Sequence, residues 1–296
     1  MPQEYLLPAS IEECLHMLAV YPGGRIIAGG TDLMLDLREG RKEAKALIDI
    51  TRIGELKRIS ADKDRISIGA AVTHAEVAAS ELIRQRLPAL AAAAGAVGSP
   101  QVRNVGTLGG NIVNAQPAAD TAVALVALGA RAVIVSAAGE RQVAVEDLYA
   151  GVGRSQVDAS KEILTKFIID LWGAGDASAF ARLARRRTLS LPVLNVAVRV
   201  KLKEGRCTRA RVCLAPVVPR PLPCQEAASV LIGQPPTEEV IARAAAAAKQ
   251  AAHPRDSLLR GPANYRKDMV EVLLKRALRE AFGLPAEEDG HQGQTV

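Results

Sequence analysis

Apolar and polar residues alternate with short periods through the first half of the chain, which predicts short helices and strands in quick succession. Ser10 with Glu13 predicts the capped start of a helix, because a hydroxyl and a carboxylate with this spacing satisfy free N–H groups. Apolar strands at 25–28 and 46–50 flank a short helix at 33–39. We therefore predict a βαβ-type unit at the start of the chain.

The middle of the chain shows a hairpin signal, a second capped helix and several apolar stretches. Polar residues at Asp62-Lys63-Asp64 separate two alternating segments, and Thr73 with Glu76 repeats the helix-start pattern. A loop punctuated by Gly and Pro, which contains Gly109-Gly110, is predicted to follow an Ala-rich helix at 87–97. The remaining apolar stretches predict one further helix and three strands, at 120–128, 132–135, 142–145 and 163–171.

The pattern changes at Gly173-Ala174-Gly175-Asp176, which is the best linker candidate. Alternation on both sides of Glu204-Gly205 predicts an antiparallel hairpin over 193–215. Segments with a helical period follow at 225–232, 238–252 and 264–282. The chain order thus predicts two α+β domains, and the polar residues 284–296 are predicted to be a disordered tail.

Composition narrows the class of protein. The 296 residues suffice for two domains, and 49% hydrophobic with 24% charged residues is ordinary for a globular protein. Aromatic residues make up only 3%, which argues against a nucleic-acid surface built on stacking. The chain shows no secretory leader and no long apolar run, so we expect a cytoplasmic protein without a membrane span.

The net charge of +6 is concentrated in one run of arginines, at Arg182, Arg185, Arg186 and Arg187. A run of this kind is most simply a solvated face. Contact with an anionic cofactor or partner is the second interpretation, and binding of nucleic acid is a weaker third.

Cysteine and histidine give no sign of a metal centre or a nucleophile. The cysteines Cys14, Cys207, Cys213 and Cys224 form no C-x-x-C pair, so we expect reduced, structural thiols and no iron–sulfur cluster in this chain. The histidines stand alone, and no catalytic triad or acid–base pair of carboxylates emerges. We therefore expect no catalytic residue and no metal ligand here.

Two glycine pairs are the most informative feature, in Ala28-Gly29-Gly30-Thr31-Asp32-Leu33 and in Thr107-Leu108-Gly109-Gly110-Asn111. A glycine lets backbone N–H groups approach an anion closely, and successive N–H groups form an anion-binding concavity. Either pair alone is most simply a tight turn. Together they could hold one diphosphate, although neither fits the dinucleotide fingerprint or the phosphate loop.

These motifs, followed by Pro117-Ala118-Ala119-Asp120, resemble those of the FAD-binding medium subunits of the molybdenum hydroxylases. That family includes carbon monoxide dehydrogenase, bacterial xanthine dehydrogenase and 4-hydroxybenzoyl-CoA reductase. The resemblance runs from about Tyr5 to about Phe282 and includes Asn264-Tyr265-Arg266 at the start of the last predicted helix.

The resemblance implies an α+β fold. It implies a two-lobed FAD-binding domain of the vanillyl-alcohol-oxidase type over 1–172, with lobes of about 1–54 and 55–172. A smaller domain over 177–283, with a three-stranded antiparallel sheet and a helical bundle, would follow. The flavin would lie in the cleft between the domains.

The resemblance also implies the residues around the cofactor. The first motif would wrap the diphosphate through backbone amides, the second would contact it from the opposite side, and an acid after them would bind hydroxyls of the flavin's chain. The implied cofactor-binding residues are Ala28, Gly29, Gly30, Thr31, Asp32, Leu33, Val97, Thr107, Gly109, Gly110, Asn111, Asp120, Leu164 and Arg182.

Four of these assignments have a competing interpretation or depart from the family pattern. Asp120 taken alone would be the N-cap of the following helix, and Leu164 would be a plain core residue. Val97 stands where some members have a Phe beside the flavin, and Arg182 where they have a Lys near the ring.

The function implied by the resemblance is that of an oxidoreductase subunit for electron transfer. A large subunit with a molybdopterin cofactor would oxidise the substrate, and a small subunit with two [2Fe–2S] clusters would relay electrons to FAD in this chain and on to NAD or another acceptor. A dimer of heterotrimers is expected. A self-sufficient FAD oxidase or dehydrogenase and a flavin-free anion-binding module remain alternatives.

Overall fold

The computed structural model describes residues 2–186 and 189–285. Its first unit is a parallel three-stranded sheet with strand order β1-β3-β2, which confirms the predicted βαβ-type start. Its elements are β1 (Glu4–Leu6), α1 (Ile11–Val20), β2 (Gly24–Ile27), α2 (Leu33–Arg38) and β3 (Ala46–Asp49). Ser10 caps α1 as predicted, but the Glu13 carboxylate accepts from the backbone N–H of Ala9 and does not complete a capping box.

The second unit is an antiparallel five-stranded sheet with strand order β4-β5-β10-β6-β7. Its strands, with a small hairpin of β8 and β9, are β4 (Ile59–Ala61), β5 (Arg65–Gly69), β6 (Arg131–Ser136), β7 (Gly139–Ala144), β8 (Tyr149–Gly151), β9 (Arg154–Ser155) and β10 (Glu162–Asp170). Six helices connect β5 to β6: α3 (His74–Ala79), α4 (Glu81–Arg86), α5 (Pro88–Gly95), α6 (Pro100–Val105), α7 (Leu108–Val113) and α8 (Asp120–Leu128).

Two expectations for this unit need correction. The second glycine motif is not a loop, because Thr107 caps α7 and the glycine pair lies in its first turn. Asp120 is not an N-cap: Ala119 holds that position and Asp120 is the first residue of α8. The capping box of Thr73 and Glu76 at the start of α3 is confirmed.

The third unit is an antiparallel sheet with strand order β11-β12-β13-β14, covered by three helices. Its elements are β11 (Asp176–Ala184), β12 (Pro192–Lys203), β13 (Arg206–Ala215), β14 (Leu222–Pro223), α9 (Gln225–Leu231), α10 (Glu238–Ala251) and α11 (Ala263–Phe282). We expected three strands in this sheet, but the structure has four. Leu222 and Pro223 form a brief fourth strand that pairs with Cys213 and Leu214.

Helix α8 joins the second and third units, since all of its residues are buried. One side packs into the core beneath the five-stranded sheet, and that same core includes Ala197, Cys213 and Ala215 from the third unit. Separate cores lie under the parallel sheet and between the third sheet and its helices. The two α+β parts therefore form one continuous body around an apolar helix.

Hydrogen bonds and a cation–π contact of Arg199 fix the predicted linker after residue 172. The guanidinium of Arg199, which is fully buried, donates to the Asp176 carboxylate and to the carbonyl oxygens of Leu128 and Asp170. The ring of Trp172 lies 4.2 Å from the guanidinium carbon of Arg199. Two other expectations, for Arg187 and for the tail from residue 286, fall outside the described residues.

Candidate functional site

A cleft of about 340 Å³ opens where the parallel sheet, α7 and the β8–β9 hairpin meet. Twelve of the fourteen predicted site residues line it: Ala28, Gly29, Gly30, Thr31, Asp32, Leu33, Val97, Thr107, Gly109, Gly110, Asn111 and Leu164. The two glycine motifs, far apart in sequence, therefore share one cavity.

The first motif offers a row of free backbone donors. It leaves β2 at the edge of the parallel sheet, and Gly30 adopts a φ of 64°, which favours glycine. The backbone N–H groups of residues 29–32 donate to no acceptor in 2–186 or 189–285. Successive unpaired amides on a concave surface are suited to an anion.

The backbone N–H groups at the start of the second motif already donate to acceptors within the protein. Leu108 and Gly109 donate their backbone N–H groups to the carbonyl oxygens of Val72 and Ala70, at 2.9 and 2.8 Å. The Gly110 N–H donates to the Thr107 hydroxyl oxygen at 3.1 Å. This motif therefore contributes space and side chains to the cleft and no backbone donors from those three positions.

The glycines differ in what a side chain would meet. A Cβ on Gly29 would lie 1.9 Å from the carbonyl oxygen of Val105, and one on Gly109 would lie 2.7 Å from Ala70. These two positions are glycine because backbone segments pack there. A Cβ on Gly110 would meet only the Thr107 hydroxyl within 4 Å and would otherwise stand in the cleft.

These features fit a nucleotide diphosphate. The free N–H groups of residues 29–32 are donors on the surface of the cleft. At Gly110, any residue larger than glycine would place its side chain in the cavity.

Arg25 lies on the lining beside the first motif and adds positive potential. Lys42 also lies on the lining, but its ammonium is paired with the Asp36 carboxylate at 2.7 Å. The lining also carries apolar side chains, Val97 and Leu164 among them, which suit a flat ring system.

Comparison with known proteins identifies the family. A family model described as "FAD binding domain in molybdopterin dehydrogenase" matches residues 1–172, and one described as "CO dehydrogenase flavoprotein C-terminal domain" matches residues 179–281. The chain is an FAD-binding medium subunit of the molybdenum hydroxylase family.

Individual relatives agree with this placement. The chain is 36% identical to the nicotinate dehydrogenase FAD-subunit of Eubacterium barkeri over 243 residues, covering 80% of this chain and 82% of that one. It is 33% identical to the 6-hydroxypseudooxynicotine dehydrogenase complex subunit alpha of Paenarthrobacter nicotinovorans, over 94% of each chain. A chain of carbon monoxide dehydrogenase from Hydrogenophaga pseudoflava superposes with a TM-score of 0.89 at 30% identity, over 97% and 99% of the two chains. The predicted α+β fold and its family are therefore confirmed.

Two predicted residues of this medium subunit do not line the cleft. Asp120 and Arg182 form a buried ion pair with 3.0 Å between Oδ1 and Nε, and the Asn195 side-chain amide donates to the same carboxylate at 2.9 Å. Burial raises the pKa of Asp120 to about 6, although Arg182 and Asn195 act in the opposite direction. The next residue, Thr121, donates to the Asn111 side chain at 2.7 Å, which links this pair to the cleft wall. Direct contact of Asp120 and Arg182 with the flavin stays a prediction.

Sequence reasoning missed several residues on the lining. The list includes Arg25, Lys42, His74, Asn114, Gly153, Ser155 and Glu162. His74, judged from the sequence to be a structural or surface residue, is only 2% exposed and follows the cap of α3. Burial, and to a smaller extent Arg103, lowers the pKa of His74 to about 4, so its imidazole is neutral at pH 7. No local pattern in the sequence indicated its place on the lining.

Metal sites and membrane spans were the other features to check in the described residues. Among residues 2–186 and 189–285, no group of three His, Cys, Asp or Glu side chains could hold a metal ion. The cysteines are buried and unpaired, and burial raises the pKa of the Cys14 thiol to about 11. No helix in the described part of the chain is long and apolar enough to cross a membrane.

Proposed function

We propose that this medium subunit holds FAD in the cleft between the two glycine motifs and serves as the electron exit of a molybdenum hydroxylase. The observation that supports this most directly is the row of unpaired N–H groups at residues 29–32, opposite the open position at Gly110. An anion with an extended body is the ligand that this pairing suits.

The residues of the chain bind and orient the cofactor. Free amides of the first motif would donate to the diphosphate, while Arg25 offsets part of its charge. The Thr107 hydroxyl, which accepts from Gly110, still has its own proton to donate. Leu164 lies on the lining of the cleft, beside a shift of register in the pairing of β10 with β6.

The cofactor supplies the redox chemistry, because flavins exchange electrons singly and in pairs. The protein keeps the site free of reactive groups of its own. His74 is neutral at pH 7, and the Asp120 carboxylate is held by Arg182 and Asn195. No residue on the lining has the arrangement of a general base acting on a substrate, which favours electron transfer over a self-sufficient oxidase.

We further propose the partners and the acceptor. A large subunit with the molybdopterin cofactor would oxidise the substrate, and a small subunit with [2Fe–2S] clusters would pass electrons to FAD here and on to NAD or another acceptor. A dimer of heterotrimers is the proposed assembly, in the cytoplasm. The proposed domain limits are 1–172 and 177–283. The residues that line the cleft all belong to the first domain, so the proposed FAD site lies within that domain and not between the two domains as the resemblance implied.

The test is a visible absorption spectrum of the tagged chain and its co-purifying subunits, followed by acid release of the nucleotide and assay of NAD reduction. Released FAD, with iron–sulfur and molybdenum signatures, would support the proposal. FAD with substrate turnover by the isolated chain would establish the self-sufficient enzyme instead. Lack of a chromophore after incubation with FAD would leave an anion-binding module.

A further inference from the structure

His74 is a buried polar side chain on the wall of the cleft. It follows the cap of α3, lines the cavity and is only 2% exposed. Its Nδ1 atom is fully buried and has no hydrogen-bond partner in residues 2–186 and 189–285. Its Nε2 atom likewise takes part in no hydrogen bond within the described part of the chain. Buried polar groups are nearly always paired, so an imidazole without a partner needs an explanation.

The backbone at His74 is held against the start of the second motif. The His74 backbone N–H donates to the carbonyl oxygen of Gly106 at 3.0 Å. The preceding residue, Thr73, forms a β-bridge with Thr107, and its side chain joins Glu76 in the capping box of α3. The position of the imidazole relative to the cleft is therefore fixed on both sides, as a binding residue requires.

One edge of the imidazole lies toward the first motif. A Cβ on Gly106 would lie 3.4 Å from Cδ2 of His74 and 3.7 Å from the Thr31 hydroxyl oxygen, so the two side chains approach the same point. Nε2 is bonded to Cδ2 and belongs to this edge of the ring. Thr31 belongs to the segment 29–32, whose backbone N–H groups are free. Nε2 is therefore the ring nitrogen on the side of the anion site.

The charge state of the ring decides what it can offer to a ligand. Burial, with Arg103 as a neighbouring cation, lowers the pKa of His74 to about 4, so the imidazole is neutral at pH 7. A neutral imidazole has one N–H donor and one acceptor nitrogen. A proton on Nδ1 would be a fully buried donor without an acceptor, whereas a proton on Nε2 lies on the edge toward the first motif. We therefore expect the Nε2–H tautomer, with its donor available to a ligand.

We propose that His74 is a further FAD-binding residue, whose Nε2–H group donates a hydrogen bond to the diphosphate beside Thr31. This proposal rests on the proposed function and adds a donor that lies outside both glycine motifs. A diphosphate oxygen is the acceptor that this position suits, because the ring edge adjoins the segment with the free N–H groups. Binding of the cofactor would then supply the partner that the imidazole lacks.

This role predicts opposite effects of one substitution on stability and on binding. A buried nitrogen without a partner lowers the stability of the FAD-free fold, so an apolar side chain of similar size should be tolerated there or should stabilise it. The same substitution removes a hydrogen bond to a charged group and should weaken FAD binding. A histidine that served only the fold would give a loss of stability instead.

The first test compares His74→Leu, His74→Gln and His74→Asn in the full-length chain, with FAD removed and titrated back at pH 7. His74→Leu should bind FAD at least about tenfold more weakly, with a urea midpoint no lower than that of the wild type. His74→Gln can place an amide N–H near the position of Nε2, so its affinity should stay within about threefold of the wild type. The shorter side chain of His74→Asn should behave as His74→Leu does. His16→Leu, at an exposed position on α1, is the control and should leave FAD binding unchanged.

The second test observes the imidazole and the diphosphate directly by NMR at pH 7. With ¹⁵N-labelled histidine, the wild type should show the Nε2–H tautomer at His74, whose signal is assigned by its loss in His74→Gln. Addition of FAD should shift the Nε2 resonance to lower field. The ³¹P resonances of the bound diphosphate should differ between the wild type and His74→Leu, and those of His16→Leu should match the wild type.

The outcomes distinguish the two proposals. His74→Leu with wild-type FAD affinity, or with a loss of both affinity and folding stability, would refute the role of His74 while leaving the FAD assignment intact. An Nδ1–H tautomer in the wild type, or a His74→Gln that binds FAD no better than His74→Asn, would do the same. A wild-type chain that binds no FAD would refute the proposed function, and the role of His74 with it.

Discussion

The two glycine motifs resemble one another in sequence but have different structural roles. In each pair the first glycine, Gly29 or Gly109, is needed because neighbouring backbone or a small side chain packs against it. The second glycines differ: Gly30 supplies a left-handed turn, whereas Gly110 leaves room in the cleft. The first motif presents free donors, and the second presents an open wall.

The difference follows from secondary structure. The first motif lies between a strand and a helix, where the N–H groups of residues 29–32 have no acceptor in the described part of the chain. The second motif starts α7, and its N–H groups donate to Ala70, Val72 and its own cap. A Gly-Gly pair therefore does not by itself indicate backbone anion binding. A position can require glycine because backbone packs against it, because the turn needs a positive φ, or because a ligand needs the space. Substitutions at the individual glycines can distinguish these three reasons.

Gly29→Ala is expected to have the largest effect. Its Cβ would lie 1.9 Å from the Val105 carbonyl oxygen, a backbone atom that cannot move without displacing the segment before α7. We expect the free energy of unfolding to fall by about 3 kcal/mol in urea titrations. Gly54→Ala, where nothing lies within 4 Å, is the control. A loss below about 1 kcal/mol at Gly29 would show that the two motifs are not packed together as described.

Gly110→Val should separate ligand space from stability. The added methyl groups would stand in the cleft, so FAD should bind at least about thirtyfold more weakly, about 2 kcal/mol. Valine has a higher helix propensity than glycine, which should stabilise α7, whereas disturbance of the Thr107 cap should destabilise it. The two effects oppose each other, so the free energy of unfolding should change by less than about 1 kcal/mol. Fluorescence titration with FAD and circular dichroism of the apoprotein measure the two effects. Unchanged FAD affinity in a folded variant would remove the second motif from the site.

His74 lies beside the second motif and gives a pH test. Its backbone N–H donates to Gly106 at 3.0 Å, and its pKa falls from 6.5 in the unfolded chain to about 4 in the fold. As the pH falls below 6.5, His74 takes up a proton in the unfolded chain but stays neutral in the fold. The free energy of unfolding should therefore decrease by about 2 kcal/mol between pH 7 and pH 5.

The measurement is the difference between the wild type and His74→Gln in urea unfolding at both pH values. The difference is needed because Asp120, whose pKa is raised, contributes the opposite slope: it favours the folded state as pH falls through 6. His16→Gln, on the exposed side of α1, is the control. A wild type and His74→Gln with parallel pH profiles would contradict a buried neutral imidazole.

The sequence predicted the elements well and the site in part. The apolar segment 120–128 has the expected bounds, because a helix that is buried on every side is apolar over nearly its whole length. The motifs identified the cleft because glycine pairs stand where backbone approaches ligand or backbone. The pairing of Asp120 with Arg182, and the burial of His74, depend on elements that meet only in three dimensions, so no local pattern could indicate them.

Thr107→Ala is the smallest expected effect and tests the second motif most finely. The hydroxyl accepts from Gly110, so its loss should cost about 1 kcal/mol of stability, as should Thr237→Ala at the start of α10. If the Thr107 hydroxyl proton also reaches the diphosphate, only Thr107→Ala should weaken FAD, by about fivefold, or about 1 kcal/mol. Equal stability losses with unchanged FAD affinity in both variants would restrict Thr107 to capping. The second motif would then contribute only the space at Gly110, and the first motif would supply the hydrogen bonds of the anion site.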